Sequence, residues 1–350
     1  MSVAALEHPH LGALLGDPDI AGLLGPAAEV RAMLAFEAAL AEAQAAEGVI
    51  PAAAAAAIAA AARRLQPDDR RLAAAAARDG LVVPELVRLL KAAVGAPHDA
   101  SVHKGSTSQD VIDTALMIRL APVVALLHDR LAALAQRLGV LMSEAGTREI
   151  MGRTRMQAAL PIPLAHRLGQ WRAGLAEADA RLSELAPRLL VVQMGGAVGT
   201  GVDYGPNVEA LARRVAGSLG LGVPADGPWQ SNRARIVELG GLLGRITGAA
   251  GKIGQDVVLM AQSEIGAATL LSAGGSSAMA HKRNPVKAEA VIALARHAGG
   301  LAGTLHQALV HDGERSGAAW TLEWLVLPDL LVTAGASLRL IGEILDETRF

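Results

Sequence analysis

Leu120-Ala121-Pro122-Val123-Val124-Ala125-Leu126-Leu127-His128-Asp129-Arg130-Leu131-Ala132-Ala133-Leu134-Ala135-Gln136-Arg137-Leu138-Gly139-Val140-Leu141 is the stretch that decides the fold. Leu120, Val124, Leu127, Leu131, Leu134, Leu138 and Leu141 recur at alternating steps of four and three. That spacing lays one apolar stripe along a helix packed lengthwise on a neighbour. Ile236, Leu239, Leu243, Ile246, Ala250, Ile253, Val257 and Met260 repeat it, with glycines at 240, 241, 244, 248, 251 and 254. Each interior glycine costs a helix about 1 kcal/mol relative to alanine. Such a helix needs close packing to persist, and its glycines predict backbones in near contact, as at the centre of a bundle shared between subunits.

Composition agrees. Aromatic residues make up 2% of the 350 residues, and β-branched alternating runs are scarce, while alanine, the strongest helix former, dominates. The expectation is an all-α protein. Mean hydropathy is +0.34, an excess owed largely to alanine. Uncharged tracts such as Gly48 to Ala62 are too short and too weakly apolar to span a bilayer. A net charge of −2 provides no broad cationic field for nucleic acid or an anionic membrane. Cysteine is absent, which removes disulfides, thiolate nucleophiles and cysteine-based metal sites. The ten histidines lack zinc-binding spacing, so neither metal nor cofactor is expected. The N-terminal residues do not form the basic and apolar blocks of a secretion signal, which makes the cytoplasm the default compartment.

Before the long stripes the chain reads differently. Arg31 to Gln44 forms one amphipathic helix stopped by Gly48 and Pro51, and two alanine-rich helices end near Gly80 and Gly95. We expect residues 1–100 to form a small N-terminal helical domain and 101–350 a long-helix bundle domain.

Three segments carry chemistry. Gly274-Gly275-Ser276-Ser277-Ala278-Met279-Ala280-His281-Lys282-Arg283-Asn284-Pro285 combines flexible glycines and serines with a lysine and an asparagine that donate to anions, and ends on a proline before a helix. His103-Lys104-Gly105-Ser106-Thr107-Ser108-Gln109-Asp110 stands before the first long helix, where hydroxyls and free amides converge on a carboxylate at a positive helix end. Simple N-capping explains the same residues, and both roles are compatible. Gly152-Arg153-Thr154-Arg155-Met156-Gln157-Ala158-Ala159-Leu160-Pro161 is the third. The glycine run Gln193 to Thr200 follows no expected strand and reads as a turn rather than a dinucleotide site.

The first of these resembles the signature of the fumarase/aspartase superfamily, Gly-Ser-Ser-x-Met-Pro-x-Lys-x-Asn-Pro, departing only at Ala280. The second resembles that superfamily's His-x-Gly-x-Thr-Ser-x-Asp region, in the Gln109 version associated with its carboxymuconate cycloisomerase branch. The third resembles Gly-Arg-Thr-His-x-Gln-x-Ala-x-Pro with Arg155 in place of histidine. Arginine does not exchange protons near neutrality, so residue 155 is no general acid; it is suited to a two-pronged grip on a carboxylate. A ring-closing isomerase has no detached leaving group to protonate, which fits the substitution. Trp229 to Arg233 resembles the tryptophan-led stretch that opens the second long helix in that branch.

The resemblance implies long-helix bundles associating in a homotetramer core with shared sites, and a small tricarboxylate substrate of protocatechuate catabolism, the β-ketoadipate pathway, that closes to a lactone. It implies that Ser276 moves a proton and that Lys282 and Asn284 stabilise charge. It makes His103, Thr107, Ser108, Arg155, Gln157, Arg233, Ser277 and Met279 substrate-binding residues. Typical members carry a third helical domain beyond the point where this sequence ends. Two other functions suit the same fold, an adenylosuccinate-type lyase that releases fumarate and a non-catalytic helical scaffold. Arg155 argues against the first, and Ser276, Lys282 and Asn284 together argue against the second. Replacing Ser276 by alanine is expected to lower turnover by about two orders of magnitude or more while the circular dichroism of the fold is retained; near-normal turnover would remove Ser276 from the chemistry.

Overall fold

The computed structural model describes residues 4–272, 274–275, 279 and 282–350. Twelve α-helices occur among them, with two small two-stranded sheets. Helices α1 (Gly12–Leu15), α2 (Pro18–Leu24), α3 (Pro26–Ala46), α4 (Ala52–Arg64), α5 (Asp69–Asp79) and α6 (Val83–Val94) precede α7 (Ser108–Ala145). A hairpin of β1 (Glu149–Thr154) and β2 (Gln157–Pro163) leads into α8 (Leu164–Leu189). Then come α9 (Val208–Leu219), α10 (Ala234–Met260), β3 (Thr269–Leu270), α11 (Val286–His306), α12 (Gly317–Asp346) and β4 (Thr348–Arg349).

The bundle is α7, α8, α10, α11 and α12. Both sequence stripes point into it: Leu120, Leu127, Leu131 and Leu138 of α7 and Ile236, Leu243, Ile246 and Ile253 of α10 are fully or almost fully buried in one core. Helices α7 and α12 are also long and apolar enough to cross a membrane by composition alone. Their leucines instead build this core. Side-chain bonds give the directions. Thr114 near the start of α7 meets Gln193 just beyond the end of α8, and Trp171 near the start of α8 meets Asp256 near the end of α10. Asp113, Arg233 and Glu323 tie together the starts of α7, α10 and α12, and Gly240 and Gly254 face Leu305 and Ala288 of α11, so α7, α10 and α12 run one way and α8 and α11 return.

The second core lies under α3, α4, α5 and α6 but is not confined to the first hundred residues. Val111, Ile112 and Ala115 of α7, Leu211 and Val215 of α9, and Trp320 of α12 join it. The small helical layer is thereby seated on one end of the bundle, which we term the near end.

The glycines of α10 divide by face. A Cβ on Gly240 would lie 2.5 Å from Leu305, one on Gly251 2.6 Å from Ala295, and one on Gly254 2.9 Å from the Ala288 carbonyl oxygen. These three admit α11 of the same chain. Gly241 and Gly248 meet nothing within 4 Å. The close approach read from the sequence is thus, for the first three, within the subunit. Gly254→Ala gains about 1 kcal/mol of helix propensity but forces a methyl against backbone, an overpacking cost of about 1–3 kcal/mol. We expect a net loss of stability in chemical denaturation; an unchanged or raised midpoint would contradict the packing.

Candidate active site

The near end is organised by buried charge. Arg233, immediately before α10, is 1% exposed. Its guanidinium donates to Asp113 of α7 at 2.6 and 3.0 Å and to Glu323 of α12 at 2.7 and 2.6 Å. Burial acts to lower the guanidinium pKa, but the two carboxylates outweigh it and hold the group above its ordinary value. Burial raises Glu323, against the opposing pull of Arg233. Asp113 also accepts from Gln109 Nε2 at 3.1 Å and from the Trp320 indole at 3.3 Å. This corrects the expectation that Arg233 binds substrate: its donors are taken up by carboxylates of its own chain, and it is closed to solvent.

Asp110, one turn into α7, is a second hub. It accepts from the amides of Gly195 (2.7 Å), Gly196 (3.0 Å) and Thr107 (3.2 Å) and from the Tyr204 hydroxyl (2.8 Å). Burial pushes its carboxyl up to about 6 although all four donors pull the other way. The bond to Thr107 is half of a capping box, so the capping reading of this segment holds. The glycine run 193–200 is a turn wrapped on Asp110. A Cβ on Gly195 would meet the Gln230 and Gln193 amides at 2.8 and 2.9 Å, which is why glycine stands there.

Outside these hubs lies a cationic group that sequence reasoning missed. Arg315, half-buried just before α12, donates to Gln109 Oε1 at 2.8 Å, to Thr107 Oγ1 at 3.1 Å and to the Ala197 carbonyl at 3.4 Å. All three acceptors are neutral, and among the described residues no carboxylate pairs with it. Thr107 and Ser108 are half-buried beside it. A fixed guanidinium, a threonine hydroxyl and the start of a helix 38 residues long make an anion site. No motif marked Arg315. Its acceptors lie 118 to 208 residues away in the chain, so no local pattern could have marked it.

The other segments stand at the far end. The third one forms the β1–β2 hairpin, whose two-residue turn places Arg155 (φ 49) and Met156 (φ 67) in the left-handed region, as a type I′ turn demands. Residues 153–161 are exposed, with Met156 at 59% and Leu160 at 73%. Among the described residues Arg155 has no ion pair and the side chains of Arg155 and Gln157 make no hydrogen bond.

The loop before α11 is closed at its base by a bridge in which Gly274 and Asn284 exchange backbone hydrogen bonds of 3.0 and 2.9 Å. Gly274 has to be glycine, since a Cβ there would lie 2.5 Å from Val286. The Asn284 amide donates to the Gly275 carbonyl at 3.2 Å, so it holds the loop together. Lys282 is exposed, and Met279 is 44% exposed. Ser276 and Ser277 lie outside the described residues, as does His281.

One chain therefore does not bring the three segments together. Thr107 and Arg315 sit at the starts of α7 and α12, while the loop and hairpin sit at the other end of the bundle. Helix α10 has 27 residues, a rod of about 40 Å at 1.5 Å per residue.

Comparison with known proteins decides the ancestry. A family described as Lyase matches residues 24–300. This chain belongs to the fumarase/aspartase superfamily. It is 41% identical over 320 residues to a 3-carboxy-cis,cis-muconate cycloisomerase of Pseudomonas aeruginosa, covering 89% of this chain and 70% of that one. The crystal structure of 3-carboxy-cis,cis-muconate lactonizing enzyme from Pseudomonas putida superposes with a TM-score of 0.90 at 36% identity, covering 96% of this chain and 76% of that one. A fumarate lyase from Mesorhizobium sp. BNC1 gives 0.89 at 31% identity, with the same coverage. The superfamily fold holds as expected. Among the described residues no group of three or more His, Cys, Asp or Glu side chains is placed to hold a metal ion.

Arg233→Met would leave Asp113 and Glu323 buried against each other without their cation. We expect a loss of about 3–5 kcal/mol in denaturant titration; a loss below 1 kcal/mol would mean the cluster does not hold the near end.

Proposed function

We propose that this protein converts 3-carboxy-cis,cis-muconate to a carboxymuconolactone. One observation carries the reading: 41% identity over 320 residues to a cycloisomerase of that name, in a chain whose residue 155 is an arginine that cannot act as a leaving-group acid. In the reaction a carboxylate oxygen adds to a conjugated double bond of the same molecule. The adjacent carbon then gains a proton, after an enolate-like state stabilised by its own carboxylate. Nucleophile and electrophile are joined from the start, so the protein's work is to fold a trianion into register and to place charge where it develops.

Arg315, with Thr107 and Ser108, takes one carboxylate at the near end of a subunit. Ser276 moves the proton, with Lys282 stabilising charge and Asn284 and Met279 shaping the loop. Arg155 and Gln157 on the hairpin turn, with Ser277, contact the remaining carboxylates. Because hairpin and loop stand about 40 Å of helix away from Arg315, the site requires more than one chain. An antiparallel pairing of bundles lays the near end of one protomer beside the far end of another, and a homotetramer of cytoplasmic bundles is the assembly we infer. The exposed Met156 and Leu160 on the hairpin and the open Gly241 and Gly248 on α10 support it.

The test is ultraviolet absorbance of the conjugated tricarboxylate with purified protein, expected to fall as lactone forms. Arg315→Ala should lower kcat/KM by about ten- to a hundred-fold with little change in unfolding temperature. Fumarate release from adenylosuccinate without lactone formation would overturn the reading.

A further inference from the structure

Glu37 lies in the middle of α3 and is 2% exposed. Its Oε1 meets Nδ1 of His103 at 2.5 Å, and its Oε2 has no hydrogen-bond partner among the described residues. His103 has φ 61, a conformation that costs a non-glycine residue about 1–3 kcal/mol unless its surroundings impose it. The surroundings do impose it. Gln44, two turns beyond Glu37 on the same helix face, donates to the Lys104 carbonyl at 2.7 Å, and the Lys104 ammonium donates to the Val49 carbonyl at 3.1 Å. On the other side Gly105 rests so close to the Asp203 carbonyl that a Cβ would lie at 2.5 Å. The loop so pinned leads straight into Thr107, whose hydroxyl accepts from Arg315.

A carboxylate at Nδ1 fixes the tautomer with its proton on Nδ1 and leaves Nε2 as the free nitrogen. The His103 side chain keeps 18% of its exposure while Glu37 keeps 1%, so the carboxylate is the buried member of the pair. A staple alone would not require an acid, since a buried glutamine would accept the same bond without the cost of burying charge. The acid adds a negative charge behind the ring. If Nε2 donates to a carboxylate ligand while Nδ1 donates to Glu37, the ring is cationic, and a buried anion behind it is the compensating group. The other titratable groups nearby are committed elsewhere: Lys104 to Val49, and Tyr204 to Asp110.

We propose that Glu37 is a positioning residue that holds His103 through Nδ1 and balances the charge the ring takes on when Nε2 donates to a substrate carboxylate. The proposal rests on the polycarboxylate reading given above, and its test does not depend on turnover. Tricarballylate, a saturated tricarboxylate, is titrated calorimetrically into the intact protein and into Glu37→Gln, His103→Gln and the double variant. Glutamine preserves an acceptor for Nδ1–H, so unfolding temperatures should stay close to wild type. Each single variant should bind about ten-fold or more weakly, and the double variant no more weakly than His103→Gln alone. In ring-15N-histidine spectra, tricarballylate should shift the His103 signals to the imidazolium pattern in wild type and not in Glu37→Gln. Wild-type affinity in Glu37→Gln, or losses that add in the double variant, would overturn the positioning role and leave the enzyme reading standing. A wild-type protein that binds no tricarballylate and closes no lactone would overturn both. If Glu37→Gln does not fold, the free wild-type spectrum decides: protonation on Nε2 alone contradicts the proposal.

Discussion

The near end of this molecule depends on one guanidinium. Arg233 joins three helices far apart in sequence, through Asp113 on α7 and Glu323 on α12. None of the three charges has appreciable solvent access, so each is tolerable only while the others are in place. The cluster sets where α7 begins relative to α12. It therefore sets where Thr107, Gln109 and Arg315 meet. The Arg315 guanidinium is one residue removed from the Arg233 cluster: Gln109 donates to Asp113 through its nitrogen and accepts from Arg315 through its oxygen.

A second constraint follows from helix length. Rods of 38, 27 and 30 residues carry the chain away from this anchor and deliver the hairpin and the Gly274–Asn284 loop to the other end. Within one subunit those ends stay apart whatever the loops do, because the rods are packed along their length. Separation of function is thus a product of the same periodicity that makes the fold. A far-end loop reaches a near-end anion site only across an interface.

The architecture was legible because the apolar stripes of α7 and α10 are long and regular, and the residues they mark are those found buried. The three segments were singled out through resemblance, and capping by residue chemistry, but nothing in that reading marked residues 149–163 as a β-hairpin. What sequence reading missed has a common physical character. Arg233 was assigned to substrate through the resemblance of the Trp229–Arg233 stretch; its partners, Asp113 and Glu323, lie 120 and 90 residues away. Arg315 and Glu37 carry no local pattern, and each becomes visible only when tertiary structure supplies its neighbours. Of the six α10 glycines read as close contacts, Gly240, Gly251 and Gly254 admit α11 of the same chain while Gly241 and Gly248 meet nothing within it, a distinction no periodicity contains.

The central claim is that opposite ends of neighbouring chains meet around Arg315. The sequence has no cysteine, so introduced thiols react alone. Val198→Cys beside the near-end site and Met279→Cys on the loop, combined in one chain, are treated with a bismaleimide spanning about 10 Å, far short of the ~40 Å that helix length imposes within a subunit. The account predicts efficient covalent linkage between chains, seen as dimers and larger species on denaturing gels and absent from either single-cysteine variant. Unlinked monomers from a fully assembled, fully labelled protein would contradict it.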